Sequence, residues 1–164
     1  MSENRIPIRG KNGEGLFALV DESDFERLSK FKWYIGITNG YVYRRKMINR
    51  KNLNFYMHRD ILGVIDCTVF VDHCNRDKLD NRRINLRICT KQQNNMNKIT
   101  EYGSSKYKGV GFKKDINKWR AYIQIDRKFI HLGYFRTETE CALAYNKKAT
   151  ELFGEFACLN EIQF

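Results

Sequence analysis

From Thr68 to Asn97 the chain is written as strand, polar loop, strand and capped helix, an order that leaves few folds open. Thr68 to Val71 is β-branched and aromatic, as a buried strand is, and delivers Asp72 and His73 at its end. Asn75 to Asn81 is a polar loop. Ile84 to Cys89 returns as a second strand, with Ile84, Leu86 and Ile88 expected on one face and Asn85, Arg87 and Cys89 on the other. Thr90-Lys91-Gln92-Gln93 has the Thr-x-x-Gln form of a capping box, so a helix from about Lys91 to Asn97 begins there and projects Asn94 back towards the hairpin. A carboxylate, an imidazole and several carboxamides are thereby gathered within one hairpin and one helix.

Those residue types suit phosphodiester cleavage. The reaction needs a base to deprotonate water and a cation to neutralise charge on the phosphorus and the departing 3′ oxygen. Neutral imidazole has the intrinsic pKa for the first task, which selects His73. Asp72 and an amide oxygen are the hard ligands that Mg²⁺ prefers. Asn85 would orient His73 or its loop, because a free-swinging imidazole loses the benefit of proximity.

Charge points to the same partner. Lys+Arg of 30 against Asp+Glu of 19 gives +11, which favours a polyphosphate through counterion release and steering. Residues 1–100 carry 19 Lys+Arg and 11 Asp+Glu, and residues 101–164 carry 11 and 8, so the first part is expected to supply much of the non-specific grip. The five cysteines lie far apart with no C-x-x-C pair, which supports neither a zinc site nor a disulfide framework. Met1-Ser2-Glu3-Asn4-Arg5 lacks an apolar h-region, and no stretch approaches the roughly 20 apolar residues of a membrane span. An intracellular protein with reduced thiols and no obligatory protein partner is expected.

Ahead of this stretch the chain reads as a small sheet. Leu16 to Val20 is a buried strand and Asp21 to Leu28 a short helix. Trp33 to Ile37 and Tyr41 to Met47 flank Thr38-Asn39-Gly40, where Asn-Gly offers the positive φ angles of a tight hairpin. Leu53 to Met57 adds a strand after the turn-like Asn49 to Asn52, and the chain then runs into a short helix stopped by Gly63. Arg44, Arg45, Lys46, Arg50 and Lys51 crowd one hairpin end, either as a DNA backbone contact or as a solvated loop. His58 is either a phosphate contact near the catalytic centre or a structural histidine.

The last third changes character. Glu101 to Ser105 reads as a linker, followed by strands over Tyr107 to Phe112, Trp119 to Ile125 and Lys128 to Tyr134, with Asp126-Arg127 as a tight connection. Thr137-Glu138-Thr139-Glu140 is a second capping box, opening a helix in which Ala142, Tyr145, Ala149 and Leu152 share a face up to Gly154. Three strands on one helix is the economical solution. Period two sends Trp119, Ala121, Ile123 and Ile125 towards that helix and leaves Arg120, Tyr122, Gln124 and Asp126 outward; Ile130 and Leu132 go in, Phe129 and His131 out. Such a ribbon fits the major groove, where Gln and Arg read base edges.

Two resemblances follow from these residues. Val71-Asp72-His73, Leu79-Asp80-Asn81-Arg82-Arg83, Asn85-Leu86-Arg87 and Gln92-Gln93-Asn94-Asn95 resemble the HNH endonucleases with a ββα-metal core, in particular the phage homing branch. That resemblance implies a metal carboxylate at Asp72, a general base at His73, the central asparagine at Asn85 and a second metal ligand at Asn94. It implies Mg²⁺, or Mn²⁺ or another divalent cation in its place, and 5′-phosphate and 3′-hydroxyl ends. A phage origin would place the protein in the cytoplasm of a bacterial host. Tyr107-Lys108-Gly109-Val110, Lys118 to Ile123, Leu132-Gly133-Tyr134-Phe135 and Ala142 to Tyr145 resemble the apetala2, or ethylene-response-factor, DNA-binding domain.

The expectation is therefore an α+β protein of two parts. Residues 1–100 form a β-rich region with a ββα-metal nuclease core at about 68–97, 101–105 a linker, and 106–164 a three-stranded antiparallel sheet packed on one helix. It would hydrolyse double-stranded DNA at a site chosen by the C-terminal part, as a homing endonuclease. The alternative is a DNA-binding regulator with an idle nuclease motif, and an RNA-directed protein is a more distant rival. DNA contacts are expected from Arg44, Arg45, His58, Arg82 and Arg83 in the first part, and from Lys108, Lys113, Arg120, Tyr122, Gln124 and His131 in the second.

Overall fold

The computed structural model describes residues 4–98, 104–126 and 128–162, and the chain divides into two compact units, Met1–Asn94 and Asn95–Phe164. Residues 101–103 of the expected linker, and Arg127 of the expected tight connection, lie outside the described residues.

The first unit opens with β1 (Asn4–Arg9), which the sequence reading left unassigned. It is followed by β2 (Phe17–Val20), α1 (Glu22–Ser29), β3 (Trp33–Ile35), β4 (Val42–Ile48) and β5 (Lys51–Tyr56), making a five-stranded sheet of order β2-β1-β3-β4-β5. The β1–β3 pair is parallel, and the other pairs are antiparallel. Ile6, Ile8, Ala18, Val20, Leu28, Trp33 and Val42 close its core, and the Trp33 indole N–H donates to the Leu28 carbonyl at 2.8 Å. Satisfying that N–H is what allows so large a ring to be buried completely.

Two turns differ in how they reverse the chain. Ile48 pairs with Lys51, so Asn49 and Arg50 alone form the β4–β5 turn, both at positive φ, 49° and 60°. The expected tight hairpin at Asn39-Gly40 is instead a six-residue loop, because Ile35 pairs with Val42. Only Gly40 there has positive φ, while the Asn39 side chain accepts from the Tyr41 N–H at 3.2 Å and so serves the loop rather than the turn backbone.

Beyond α2 (Met57–Ile61), β6 (Phe70–His73) and β7 (Leu86–Cys89) pair as an antiparallel hairpin, and α3 (Lys91–Met96) follows at once. The Thr90 capping box is present: Thr90 N–H donates to Gln93 Oε1 at 2.8 Å, and Gln93 N–H to Thr90 Oγ1 at 3.2 Å. The second strand is shorter than expected, since Arg83–Asn85 is a 3₁₀ turn in which the Asn85 N–H donates to the Arg82 carbonyl at 2.9 Å. Ile84 leaves the hairpin face as a result and is 89% exposed.

In the second unit β8 (Val110–Lys113), β9 (Lys118–Ile125) and β10 (Lys128–Phe135) form an antiparallel sheet of order β10-β9-β8, packed on α4 (Glu138–Phe153). Thr137 and Glu140 make the expected reciprocal cap. Ala121, Ile123, Ala142, Tyr145 and Ala149 are buried between sheet and helix, but Leu152 is half exposed and Phe153 takes its place in the core. Gly109, at φ 73°, lies so close to the Tyr145 ring and the Tyr122 carbonyl that a Cβ would overlap both. A register shift between His131 and Gly133 interrupts the β9–β10 ladder and leaves Ile130 more exposed than strict alternation implies.

Candidate active site

The hairpin sets Asp72 directly opposite Arg87 and His73 opposite Leu86. Arg87 Nε and Nη2 both donate to Asp72 Oδ2, at 3.0 and 2.7 Å, and both side chains are largely buried. This cross-strand pair fixes the carboxylate direction. Arg87 was expected only on the face of the second strand shared with Asn85 and Cys89, with no partner assigned. Its role follows from the register, which depends on how the 3₁₀ turn consumes Arg83–Asn85.

The loop between β6 and β7 is tied to the edge of the five-stranded sheet. Leu19 N–H donates to the Leu79 carbonyl and Asn81 N–H to the Leu19 carbonyl, both at 2.8 Å, so an edge strand captures residues 79–81. Asp80 accepts from Arg82 Nε at 2.8 Å and Nη2 at 2.7 Å, and from Asn75 Nδ2 at 2.9 Å. Of the two partners expected for Asn85, the structure gives it the loop: Nδ2 donates to the Asp80 carbonyl at 2.7 Å and Oδ1 accepts from the Asn75 N–H at 2.9 Å. The residue facing His73 is Asn81, whose Oδ1 lies 3.3 Å from His73 Nε2.

Around His73 gathers an aromatic cluster drawn from distant segments. The His58 and His73 rings are 5.2 Å apart at an interplanar angle of 63°, and Tyr41 lies 4.8 Å from His58 and 5.9 Å from His73 by ring centroids. Burial drives the His58 pKa down to about 3, helped by His73 and Arg59. Burial also pushes the His73 pKa below its usual range, against the Asn81 hydrogen bond and the Asp72 charge, which raise it. Both imidazoles are therefore neutral near pH 7, the form in which a ring nitrogen accepts a proton. Burial, with Asp72 second, raises the Tyr41 phenol. Tyr41 was missed in sequence because it reaches the site from the loop between β3 and β4, which no local pattern connects to β6.

Among the expected DNA contacts, Arg44 lies over the Phe31 ring at 4.2 Å and donates to Asp60 at 3.0 Å. Arg83 is held by both oxygens of Asp24, at 2.7 and 3.0 Å, and Arg82 by Asp80. Arg45 is exposed beside Tyr43. In the second unit Arg120 lies over the Tyr122 ring at 4.8 Å, and Gln124 and His131 are exposed. Lys108 Nζ donates to the Met96 and Lys98 carbonyls, both at 2.6 Å, which commits its charge to the backbone.

The HNH endonuclease family profile matches residues 60–96, from within α2 to the end of α3. An uncharacterized HNH endonuclease of Acanthamoeba polyphaga mimivirus is 38% identical over 152 residues, which is 93% of this chain and 79% of that protein. The chain belongs to the HNH endonuclease family. It is an enzyme, a DNA endonuclease, and the match falls on the hairpin, its loop and the capped helix that hold Asp72, His73, Asn85 and Asn94. HNH nucleases use divalent cations. Among the described residues no group of three or more His, Cys, Asp and Glu is placed to hold a metal ion by itself. A carboxylate and an amide oxygen, the donor types expected at Asp72 and Asn94, are hard ligands that suit a cation keeping several of its waters. His58 Nδ1, buried and with no hydrogen-bond partner among the described residues, is a further polar atom beside His73.

Proposed function

We propose that this HNH endonuclease hydrolyses phosphodiester bonds of double-stranded DNA through a ββα-metal core made of β6, β7 and α3, at sites selected by its C-terminal unit. The observation that carries the reading is the buried His73 at the end of β6, next to Asp72 and facing Asn81 Oδ1. His73 takes the proton of the attacking water. Asp72 and Asn94 hold the divalent cation, Mg²⁺ by the hardness of their oxygens. When bound, that cation neutralises charge developing on the phosphate and the leaving oxygen. Arg87 keeps Asp72 aimed, and Asn85 keeps the loop closed beneath His73.

The C-terminal sheet is read as an apetala2-like DNA-binding unit, with Lys113, Arg120, Tyr122, Gln124 and His131 towards the DNA and the sheet in the major groove. A cutting site paired with a separate reader is the arrangement of a homing endonuclease, and the phage type is the proposed class. Of the first-unit arginines expected at DNA, Arg45 is exposed and in no ion pair among the described residues, whereas Arg44, Arg82 and Arg83 each meet a carboxylate, so Arg45 is read as a phosphate contact.

The test is His73→Ala in a plasmid-cleavage assay with Mg²⁺ and with chelator. Cleavage should be abolished while DNA affinity, measured by mobility shift, changes less than about twofold, since an interaction made only in the transition state does not report on binding. Cleavage that survives in a clean preparation overturns the assignment.

A further inference from the structure

We propose that Lys108 is a positioning residue of the nuclease site: its ammonium closes the C-terminal end of α3 and so fixes the placement of Asn94, rather than making the DNA contact expected from its sequence position. The inference rests on the reading of Asn94 as a metal ligand and adds what holds that ligand in place.

Helix α3 cannot hold its own shape. It has six residues, Lys91–Met96, none of them buried, and isolated helices shorter than about 12 residues are marginal in water. Its stability has to come from its ends. The start is closed by the exchange between Thr90 and Gln93. At the finish, the last carbonyls of a helix have no partner within it, and the partial negative charge they carry favours a cation. The last turn of α3 holds no basic residue. Lys108 supplies one from just ahead of β8, where Nζ donates to the Met96 and Lys98 carbonyls, both at 2.6 Å. The division of the chain into compact units falls after Asn94 and groups Met96 and Lys98 with Lys108. The Met96 side chain packs there against the cluster of Ile123, Tyr145, Ala149 and Phe153. Lys108 is itself anchored, since its N–H donates to Asn160 Oδ1 at 2.7 Å and its carbonyl accepts from Asn160 Nδ2 at 3.0 Å.

An ammonium shared by two carbonyls has fixed partners, and leaving them for a phosphate would strand both oxygens at a helix end. Asn94 lies two residues ahead of Met96, in the last turn, and its N–H donates to the Thr90 carbonyl at 3.0 Å. A side chain so placed follows any fraying of that turn, because its Cα moves with the backbone. Closing the end therefore keeps the Asn94 amide where its oxygen serves a cation. Losing a group that orients a metal ligand costs roughly 10–100-fold in metal affinity or activity. Losing a phosphate contact costs duplex affinity and salt dependence instead, so the two roles of a lysine at position 108 separate cleanly.

The experiment compares the full chain with Lys108→Met and Lys108→Arg in three readouts. These are Mn²⁺ affinity by electron paramagnetic resonance with duplex bound, in a His73→Ala background that leaves the DNA uncut; duplex affinity against salt; and cleavage against Mg²⁺. Lys108→Met should weaken Mn²⁺ binding and raise the Mg²⁺ needed for half-maximal cleavage by roughly 10-fold, with the rate recovering at saturating Mg²⁺. Its duplex affinity and salt slope should match those of the parent. A slope reduced by about 0.9 with Mn²⁺ affinity intact marks a phosphate contact and overturns the proposal, as does a variant unchanged in every readout. If Lys108→Met does not fold, Lys108→Arg decides. Arginine keeps the charge that a phosphate needs, but its planar fork does not reproduce a compact ammonium shared by two carbonyls, so the Mg²⁺ requirement should still rise. A Lys108→Arg equal to the parent overturns the proposal. Asn94→Ala tests the underlying reading separately: unchanged Mn²⁺ affinity there sinks Asn94 as a ligand, whereas weakened Mn²⁺ binding in Asn94→Ala beside normal binding in Lys108→Met sinks only the role of Lys108.

Discussion

The two units use their cations in opposite ways. Around the β6–β7 hairpin, Arg82, Arg83 and Arg87 each end on a buried carboxylate, Asp80, Asp24 and Asp72, and Arg44 ends on Asp60. On the outward side of the C-terminal sheet, the Lys113 and Gln124 side chains have no hydrogen-bond or ion-pair partner among the described residues. Formal charge runs the other way, with the larger excess in the first part. Charge counted along a sequence thus overstates what is available to DNA wherever arginines are used to staple a loop. The hairpin needs those staples because its loop is long and polar, with little apolar surface to hold it, while the second sheet is held by α4 and leaves its far face open.

The largest effect that would sharpen this contrast is on stability. Asp24 is buried and receives Arg83 and Arg27 together. Asp24→Ala should destabilise the first unit by about 2 kcal/mol, between the fraction of a kcal/mol of an exposed pair and the 3–5 kcal/mol of breaking a fully buried one. The denaturant midpoint of unfolding measures it. The pH dependence carries a sign. Burial opposes ionisation of Asp24, but the hydrogen bonds from Arg83 and Arg27 outweigh it and hold the pKa below the usual value. Its contribution is therefore full above about pH 4, the unfolded value, and is lost as pH falls through the lower folded value. Asp80, lowered chiefly by Arg82, behaves alike. Acid unfolding should flatten in Asp24→Asn, and an unchanged acid limb would show that the staple carries no stability.

On the other side of the comparison, the open face should govern selection rather than rate. With the C-terminal sheet as the reader, Gln124→Ala should cost about 1–3 kcal/mol of discrimination at one base pair, measured by competition between the preferred site and its single-base variants. Cleavage of non-specific DNA should stay the same. Loss of non-specific cleavage in that variant would mean that the face supports the fold or the chemistry instead.

How much of this was legible in sequence depends on how local each signal is. Helix α4 was readable because Thr137, Glu140 and Gly154 mark both its ends, and β9 because Ala121 and Ile123 alternate against Tyr122 and Gln124. The candidate catalytic residues were readable as a spaced motif, and the capped helix that follows β7 came from Thr90 and Gln93 alone. Strand β1 was not, because Pro7 interrupts the alternation of Ile6 and Ile8, and its parallel partner β3 lies far along the chain. Nor were the partners that tune the site. Asn81 faces His73 because edge strand β2 captures the loop, Arg87 meets Asp72 because a 3₁₀ turn sets the register, and Tyr41 arrives from another hairpin. Motifs report what is spaced along the chain, and these three roles depend on what the fold brings back.

The finest distinction is between an arginine that is occupied and a lysine that is not. Each cation that neutralises a phosphate adds about 0.9 to the slope of log affinity against log salt. On the proposed reading, Lys113→Ala should reduce that slope by about 0.9, while Arg83→Ala should leave it unchanged despite removing the same formal charge. Titrating duplex binding between low and moderate salt separates the two. If Arg83→Ala lowers the slope as much as Lys113→Ala does, Arg83 must leave Asp24 on binding. The ion pairs around the hairpin would then be a reserve that DNA draws on, and the contrast between the two units would hold only for the free protein.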